Sequence, residues 1–232
     1  MKERRTPGSD AAKRGRFITL EGGEGAGKST QVKYLLSNLR EAGVGAIGTR
    51  EPGGSPGAEI LRKVLLSGKL ARLGSSAEAI LFSAARIDHL ENTIKPALAA
   101  GLYVISDRFF DSTRAYQGHR GQLDPSFMRA LERVTLAGLR PDLTIILDLP
   151  AAEGLARAAA RRSSGENADR FERENRAFHE ALRTAFIEIA AAEPARCIVV
   201  NALRAEQQVA RDIFKIVSDR FCLGDARLKS HA

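Results

Sequence analysis

The chain has 232 residues, of which 44% are hydrophobic and 28% charged, and its formal net charge is +8. These proportions are ordinary for a soluble globular protein, and the length suits one domain, or one domain with a small flap. No apolar run approaches the roughly 18 residues of a membrane span, and the basic N-terminus lacks the apolar segment of a secretory signal. The sequence therefore predicts a cytoplasmic protein without a membrane partner. Its two cysteines, Cys197 and Cys222, are too few for a disulfide framework.

The positive charge is concentrated at the N-terminus. Residues 1–16 contain six Lys/Arg against two acids, which leaves the rest of the chain only mildly basic. A nucleic-acid groove needs a basic stripe on the folded part, so no nucleic-acid partner is predicted. We expect residues 1–15 to form a disordered basic tail, 16–221 a single domain and 222–232 a C-terminal tail. A weak contact between the basic tail and RNA or a membrane surface is the alternative.

Short apolar runs alternate with amphipathic segments along the chain. The apolar residues Val32, Leu35, Leu36 and Leu39 fall at helical spacing, and Gly43 is a suitable residue to end that helix. Runs of apolar residues without alternating polarity, separated by helices, are typical of a parallel sheet covered on both faces. We therefore predict an α/β fold with a five-stranded parallel sheet sandwiched by helices. The predicted strands are 16–21, 44–50, 101–107, 142–149 and 196–201.

The segment GGEGAGKS follows the first predicted strand and opens a helix, which is the context of a P-loop. Glycines let the backbone curl so that successive N–H groups point at one phosphate, and the helix start adds partial positive charge. In this motif Lys28 reaches the β- and γ-phosphates of ATP and Ser29 is a ligand of Mg²⁺. The predicted ATP-binding residues are Gly22, Gly23, Glu24, Gly25, Ala26, Gly27, Lys28, Ser29 and Thr30.

A P-loop alone does not separate switches, motors and kinases, but the strand ends do. The GTPase motifs Asp-x-x-Gly and Asn-Lys-x-Asp are absent from the sequence. Arg50 ends the second predicted strand, and Asp107 and Arg108 end the third. Ligands of parallel α/β sheets bind beyond the carboxyl ends of the strands, so both arginines should lie beside the P-loop. They indicate a second phosphate, on an acceptor; surface salt bridges are the alternative for each arginine.

Six segments occur in the order seen in bacterial thymidylate kinases, and the chain resembles that family over roughly residues 16–220. The resemblance implies a P-loop nucleoside monophosphate kinase that uses ATP and Mg²⁺ to phosphorylate dTMP to dTDP, a step in dTTP biosynthesis. It also implies a homodimer, with the apolar helical stretch Ala79–Leu98 as a candidate interface. The six segments are EGGEGAGKS, TREPGGS, LFSAAR, DRFFDSTRAYQG, RPDLTIILDL and DRFERE.

The resemblance assigns most of the acceptor site. It implies that Glu24 accepts a hydrogen bond from the sugar 3′-OH, that Phe82 stacks on thymine and that Arg86 donates to the base O4. Tyr116 would leave no room for a 2′-OH. On pattern alone, Phe82 would be a core residue and Glu24 an exposed side chain without a role. The dTMP-binding residues implied by the resemblance are Glu24, Arg50, Phe82, Arg86, Arg108, Thr113, Tyr116 and Gln117.

Two acids compete for the metal. Asp107 and Asp148 each follow an apolar run, and we favour Asp107 beside Ser29 because Arg108 next to it fits the acceptor phosphate. Asp148 stays open as a structural or indirect metal-organising acid. Glu172 is a further, weaker candidate for Mg²⁺ or nucleotide, on its resemblance to the end of the family's lid.

A lid is predicted at 161–170, the Arg-rich stretch RRSSGENADR between two helical patterns. Some members of the family carry an arginine inside the P-loop, whereas this chain has Glu24 there. The missing cation would then come from the lid, although a solvated surface loop is the alternative. Asn201 and Ala202, after the last strand, are candidates for the adenine pocket. The predicted catalytic residues are Lys28, Arg108, Arg161, Arg162 and Arg170.

Two other functions stay open at this point. The first is a kinase for another nucleoside monophosphate or a deoxynucleoside, because the P-loop and the two arginines do not identify the base. The second, from a different class, is a P-loop nucleotide-binding switch without transfer activity. The absent GTPase motifs and the paired acceptor arginines argue against the switch.

Overall fold

Five parallel strands form one sheet with the order β2-β3-β1-β4-β5. The computed structural model describes residues 14–67, 71–119, 121–162, 171 and 174–223. Each predicted strand overlaps an observed one, with β1 extending one residue past its predicted end, so the prediction of a five-stranded parallel α/β fold is confirmed. The strands are β1 (Phe17–Gly22), β2 (Ala46–Arg50), β3 (Tyr103–Asp107), β4 (Leu143–Asp148) and β5 (Cys197–Asn201).

Helices occupy the crossovers between the strands. The stretch Ala79–Leu98 is one continuous helical run, in which α3 passes through a π-helical turn, Leu90–Ile94, into α4. Within the described residues, none of the helices is long and apolar enough to cross a membrane. The helices are α1 (Lys28–Glu41), α2 (Pro56–Leu66), α3 (Gly74–His89), α4 (Lys95–Ala99), α5 (Phe110–Thr113), α6 (Pro125–Leu136), α7 (Ala151–Arg162), α8 (Arg176–Ala192) and α9 (Glu206–Phe221).

The core lies on both faces of the sheet, as a parallel sheet requires. Every residue of β1 is buried, with Leu20 packing among residues of α1 and α9 and Phe17 among residues near α4. Helix α1 turns Leu35 and Leu39 toward the sheet, so the apolar spacing seen in the sequence marks the buried face. These contacts fix the central strand and, with it, the loop that follows Gly22.

The strand register places three chain segments at one edge of the sheet. Leu20 of β1 is level with Asp107 of β3, and Arg50 of β2 is level with the same Asp107. The backbone N–H of Arg108 donates to Leu20 O (2.9 Å), and that of Glu51 donates to Asp107 O (2.9 Å). The ends of β1, β2 and β3 therefore meet, and the loops that follow them build a common site.

The ends of the chain and the predicted lid are described only in part. The backbone N–H of Gly15 donates to Leu98 O (2.9 Å), so the chain is already bound to the domain at that residue. Of the predicted lid, α7 ends at Arg162, and 163–170 lie outside the described residues, as does Glu172. Both cysteines are free, Cys197 buried in β5 and Cys222 exposed after α9.

Candidate active site

The loop after β1 has the backbone of a phosphate cradle. Gly22, Gly25 and Gly27 have φ angles of 137°, 69° and 89°, which non-glycine residues rarely adopt. A Cβ on Gly25 would lie 2.0 Å from the carbonyl oxygen of Gly154 in α7, so the loop packs directly on that helix. Helix α1 begins at Lys28 with no capping side chain and no acid in its first turn. Its N-terminal N–H groups are therefore available to an anion.

Lys28 lies against the inside of this loop. Its Nζ donates to the carbonyl oxygens of Gly22 (3.1 Å) and Gly23 (2.7 Å). Burial and the charge of Arg108 lower the pKa of Lys28 to about 8, with Glu24 and Asp107 opposing the shift. The ammonium is thus held beside the cradle, with a proton that a phosphate would stabilise.

The affinity for ATP should fall as the pH rises above about 8. In the free protein Lys28 loses its proton through a pKa of about 8, whereas a bound triphosphate retains it, so the charged form is the one that binds. The dissociation constant of ATP, measured by calorimetry from about pH 7.5 to 9.5, should rise by up to about tenfold per pH unit. The Lys28→Arg variant, which stays charged, should show a flat profile; equal slopes in both proteins would contradict the assignment.

Glu24 is turned toward the acceptor side of the site. Its Oε1 accepts hydrogen bonds from Arg108 Nη2 (2.6 Å) and Tyr116 Oη (2.7 Å). Burial alone would raise the pKa of Glu24, but the charges of Arg108 and Lys28 and the Tyr116 hydrogen bond outweigh it and lower the pKa to about 2. An acid inside a phosphate-binding loop is therefore stabilised as the anion by two partners outside that loop.

Arg108 is held in one orientation by its backbone and its side chain. Its φ of 69° lies in the left-handed region, which is uncommon for a residue with a Cβ and is typical of functional sites. Nη1 donates to Gly22 O (3.2 Å) and Ser112 Oγ (3.1 Å), and Nη2 donates to Glu24. The guanidinium carbon also lies 5.2 Å from the centre of the Tyr116 ring.

The residues proposed for the metal lie side by side. Ser29 Oγ donates to Asp107 Oδ2 at 2.5 Å, whereas the rival Asp148 accepts two hydrogen bonds from Arg183 (2.6 and 2.9 Å). A hydroxyl and a carboxylate suit Mg²⁺, which is bound through one or two carboxylates and otherwise by phosphates and water. Within the described part of the chain, no three His, Cys, Asp or Glu residues form a metal-binding group.

One cavity of about 220 Å³ joins the phosphate loop to the predicted base site. Phe82 and Arg86, one turn apart on α3, form its wall opposite the loop together with residues after β3. Arg50 lines the cavity, as predicted for an acceptor-binding residue. Its Nη2 also donates to Glu59 Oε1 (3.0 Å), so the alternative of a surface salt bridge holds as well. The lining includes Glu24, Gly25, Gly27, Lys28, Ser29, Thr30, Arg50, Phe82, Arg86, Asp107, Arg108, Thr113, Tyr116 and Gln117.

Arg86 lines this cavity and keeps one guanidinium nitrogen without a hydrogen-bond partner. Its side chain is only 2% exposed, and its Nε donates to Glu51 Oε2 at 2.7 Å. Nη2 donates to Phe109 O (3.2 Å) and Thr113 Oγ1 (3.1 Å). Nη1 is buried without a hydrogen-bond partner, an arrangement that is costly unless a ligand accepts from it.

Comparison with known proteins agrees with this geometry. The family model described as thymidylate kinase matches residues 20–213. A thymidylate kinase of Bradyrhizobium sp. (strain ORS 278) is 55% identical over 207 residues, which cover 89% of this chain and 91% of that protein. The chain belongs to the thymidylate kinase family. Another thymidylate kinase, from Nitrobacter winogradskyi, is 53% identical over 225 residues, which is 97% of either protein.

A solved structure extends the thymidylate kinase match to three dimensions. The crystal structure of a thymidylate kinase from Ehrlichia chaffeensis superposes with a TM-score of 0.70 and 32% sequence identity, over 88% of this chain and 99% of that one. The resemblance inferred from six short segments is thereby confirmed, together with the P-loop kinase fold.

The predicted thymidylate kinase site residues are thus brought together, with some exceptions. Gly22, Gly23 and Ala26 belong to the loop but do not line the cavity. Arg161 and Arg162 end α7, with their side chains outside the described part, and Arg170 and Glu172 lie outside it altogether. Asn201 lies at the end of β5, level with Asp148, and its Oδ1 accepts from the backbone of Leu203 (2.9 Å).

Three residues of this thymidylate kinase site escaped the sequence analysis. Glu21, fully buried at the end of β1, accepts from the backbone of Phe109 (2.7 Å) and from Ser112 Oγ (2.6 Å), and so supports the loop after Arg108. Burial and the charge of Asp111 raise the pKa of Glu21 to about 8. Glu51 holds Arg86, and Phe171 lines the cavity with its ring centre 5.0 Å from that of Tyr116. The aromatic within DRFERE was the only available signal for Phe171.

Proposed function

We propose that this member of the thymidylate kinase family transfers the γ-phosphoryl group of ATP to dTMP, giving dTDP. The observation that carries the proposal is one cavity lined by the P-loop, by Arg50 and Arg108, and by Phe82 and Arg86 of α3. In that cavity wall, Nη1 of Arg86 has no hydrogen-bond partner among the described residues. Transfer would be direct, because the site supplies positioning and charge and needs no covalent intermediate.

The donor half of the site would bind and neutralise the triphosphate. Backbone N–H groups of the P-loop and of the first turn of α1 would bind its oxygens, and Lys28 would move from the carbonyls of Gly22 and Gly23 to the β- and γ-phosphates. Ser29 and Asp107 are the residues that would hold Mg²⁺. When bound, this ion supplies neutralisation of the phosphate charge.

The acceptor half would place the dTMP phosphate in line with the donor. Arg108 would bind that phosphate together with Arg50, and Glu24 would accept from the sugar 3′-OH. Thymine would stack on Phe82, with Nη1 of Arg86 donating to O4. Base stacking on an aromatic ring is worth about 1–3 kcal/mol. The remaining contacts proposed for the base and the sugar come from Thr113, Tyr116 and Gln117.

We also propose that the lid supplies the remaining catalytic cation. Arg50 and Arg108 each already face a carboxylate, on Glu59 and Glu24. Arg161, Arg162 and Arg170 would approach the transferring group, and Glu172 would contact the metal or the nucleotide. Closure over both substrates would also exclude water that could otherwise hydrolyse ATP.

A coupled assay of ADP release over a panel of acceptors tests the function. With ATP and Mg²⁺, dTMP should be phosphorylated far faster than AMP, GMP, CMP or thymidine. Discrimination against dUMP should be modest, since one methyl group is worth about 1–3 kcal/mol, and UMP should be slower still because its 2′-OH meets Tyr116.

Each alternative function predicts a different outcome in the same assay. A faster rate on AMP, GMP or CMP would make the protein a kinase for another nucleotide, and a faster rate on thymidine would make it a nucleoside kinase. ADP release that no acceptor accelerates would favour the nucleotide-binding switch.

A homodimer is proposed from the outer faces of three helices. Ile60 and Val64 on α2, Ile80 and Ile87 on α3 and Val134 on α6 are apolar and between 40% and 70% exposed. Helix α3 packs against both α2 and α6, so these side chains lie on adjoining helices. Apolar side chains that cluster at a surface are typical of an interface. Light scattering should give twice the 25.1 kDa mass of the chain.

A further inference from the structure

A buried chain of polar side chains runs behind Arg86. Glu51 Oε2 accepts from Arg86 Nε (2.7 Å), and Glu51 Oε1 is 3.0 Å from His89 Nδ1. His89 Nε2 is in turn 2.6 Å from Thr49 Oγ1. The chain thus connects the end of β2 to the face of α3 that carries Arg86, and His89 is fully buried.

The carboxylate of Glu51 fixes the direction of the two hydrogen bonds that it makes. Glu51 accepts from Arg86 with one oxygen, so its other oxygen is available to accept from the N–H at Nδ1 of His89. Nε2 shares the second hydrogen bond of the ring with the hydroxyl of Thr49, which can serve as donor or acceptor. Both oxygens of Glu51 are therefore committed, and the carboxylate cannot rotate without breaking one of two buried hydrogen bonds.

The backbone after β2 packs against the hydrogen-bonded side chains of Thr49 and His89. A Cβ on Gly54 would lie 2.3 Å from Thr49 Oγ1 and 2.5 Å from His89 Nε2. Gly54 O accepts from Thr93 Oγ1 at 2.7 Å, which holds the turn in place. Only a residue without a side chain leaves room for the imidazole here. The backbone of Gly54 therefore packs directly against the hydrogen bond between His89 and Thr49.

The result is an Arg86 side chain held by three hydrogen bonds, with one nitrogen and its two N–H groups left over. Nε and Nη2 are used by Glu51, Phe109 O and Thr113, and Nη1 has no hydrogen-bond partner among the described residues. An N–H donor that is fixed in position forms a hydrogen bond with the carbonyl oxygen of a base. An amino group at the same place on the base is itself a donor, so the two N–H groups repel each other. A guanidinium free to rotate could turn away from an amino group and would therefore discriminate less between the two bases.

We propose that His89, acting through Glu51, is a positioning residue that fixes Arg86 and thereby sets the preference of the site for an acceptor base with a carbonyl at its 4-position over one with an amino group. The inference rests on the proposed function, in which Arg86 faces the base. His89 itself does not line the cavity.

A matched pair of variants at His89 tests the inference. In His89→Asn the amide nitrogen occupies the place of Nδ1 and can still donate to Glu51, whereas in His89→Gln the amide reaches the place of Nε2 and loses that contact. His89→Gln should lower kcat/KM for dTMP by about tenfold or more, mainly through KM, and lower the ratio of dTMP to dCMP by a similar factor. His89→Asn should keep both within about threefold, and KM for ATP should not change in either variant.

The outcomes separate this inference from the proposed function. If the wild-type protein does not prefer dTMP to dCMP, the proposed function fails. If the wild type discriminates and His89→Gln discriminates equally well, only the role of His89 is wrong. Equal losses in the Asn and Gln variants that follow a lower Tm would assign His89 to stability alone.

A milder variant covers the case in which His89→Gln does not fold. Thr49→Val removes only the hydroxyl at the far end of the chain and keeps the side-chain volume. It should lower the ratio of kcat/KM for dTMP to kcat/KM for dCMP by about threefold, with an unchanged KM for ATP. An unchanged ratio would overturn the inference.

Discussion

Replacing Lys28 by alanine should lower kcat for dTMP phosphorylation by at least about a thousandfold while the protein still folds. A cation placed at the transferring phosphoryl group is worth about 10³–10⁵ in kcat. In the free protein the Lys28 ammonium donates to the backbone carbonyls of Gly22 and Gly23, which other donors or water can satisfy, so the side chain serves the ligand more than the core. Steady-state rates and thermal unfolding of the variant give the two measurements.

The matched control for this variant is Lys28→Met, which keeps the aliphatic stem and removes only the charge. Both substitutions should be equally inactive, because the charge and not the stem acts on the phosphate. A kcat near the wild-type value in either variant would remove the P-loop lysine from the mechanism. Recovery of activity in methionine but not alanine would show that the loss came from packing.

Removing the lid arginines should produce a loss of comparable size. The triple alanine variant at Arg161, Arg162 and Arg170 should lose at least about a thousandfold in kcat if one of them neutralises the charge that spreads over the γ-phosphoryl oxygens. Among the single variants, Arg162→Ala should be the most affected, because Arg162 stands where α7 ends. The affinity for dTMP, measured by calorimetry, should change little.

A second triple variant controls for the change in net charge. Lys33, Arg40 and Arg211 are exposed and do not line the cavity, so their replacement by alanine should leave kcat within a few-fold. A lid triple variant that keeps kcat within about tenfold would show that the charge comes from another part of the molecule. The P-loop that carries Glu24 would then not depend on the lid.

The sequence predicted the parts of the site that depend on local pattern. The P-loop requires a glycine spacing after a strand, and parallel strands bring their carboxyl ends together, so Lys28, Arg50 and Arg108 could be placed at one edge. The family resemblance added Phe82 and Arg86, which no local pattern distinguishes from core residues.

Glu51 and His89 could not be assigned in the same way. They are 38 positions apart, and their contact exists only because the end of β2 packs against α3. Neither belongs to a motif whose chemistry is readable by itself, and a histidine on a buried helical face is ordinarily a core residue. The ion pair of the rival acid Asp148 could not be assigned from the sequence either, since Asp148 ends β4 and Arg183, which binds it, lies on α8.

The close contact between Gly25 and Gly154 couples the orientation of α7 to the conformation of the P-loop. The two backbones meet there without side chains between them, so the first turn of the helix packs directly on the P-loop. From Gly154 to Arg162 the helix rises by roughly 12 Å. A tilt of about 10° at this contact would therefore carry its far end by about 2 Å, enough to make or break a hydrogen bond. A small adjustment of the loop around a nucleotide would therefore produce a larger displacement at the end of α7, with the contact between Gly25 and Gly154 as the pivot.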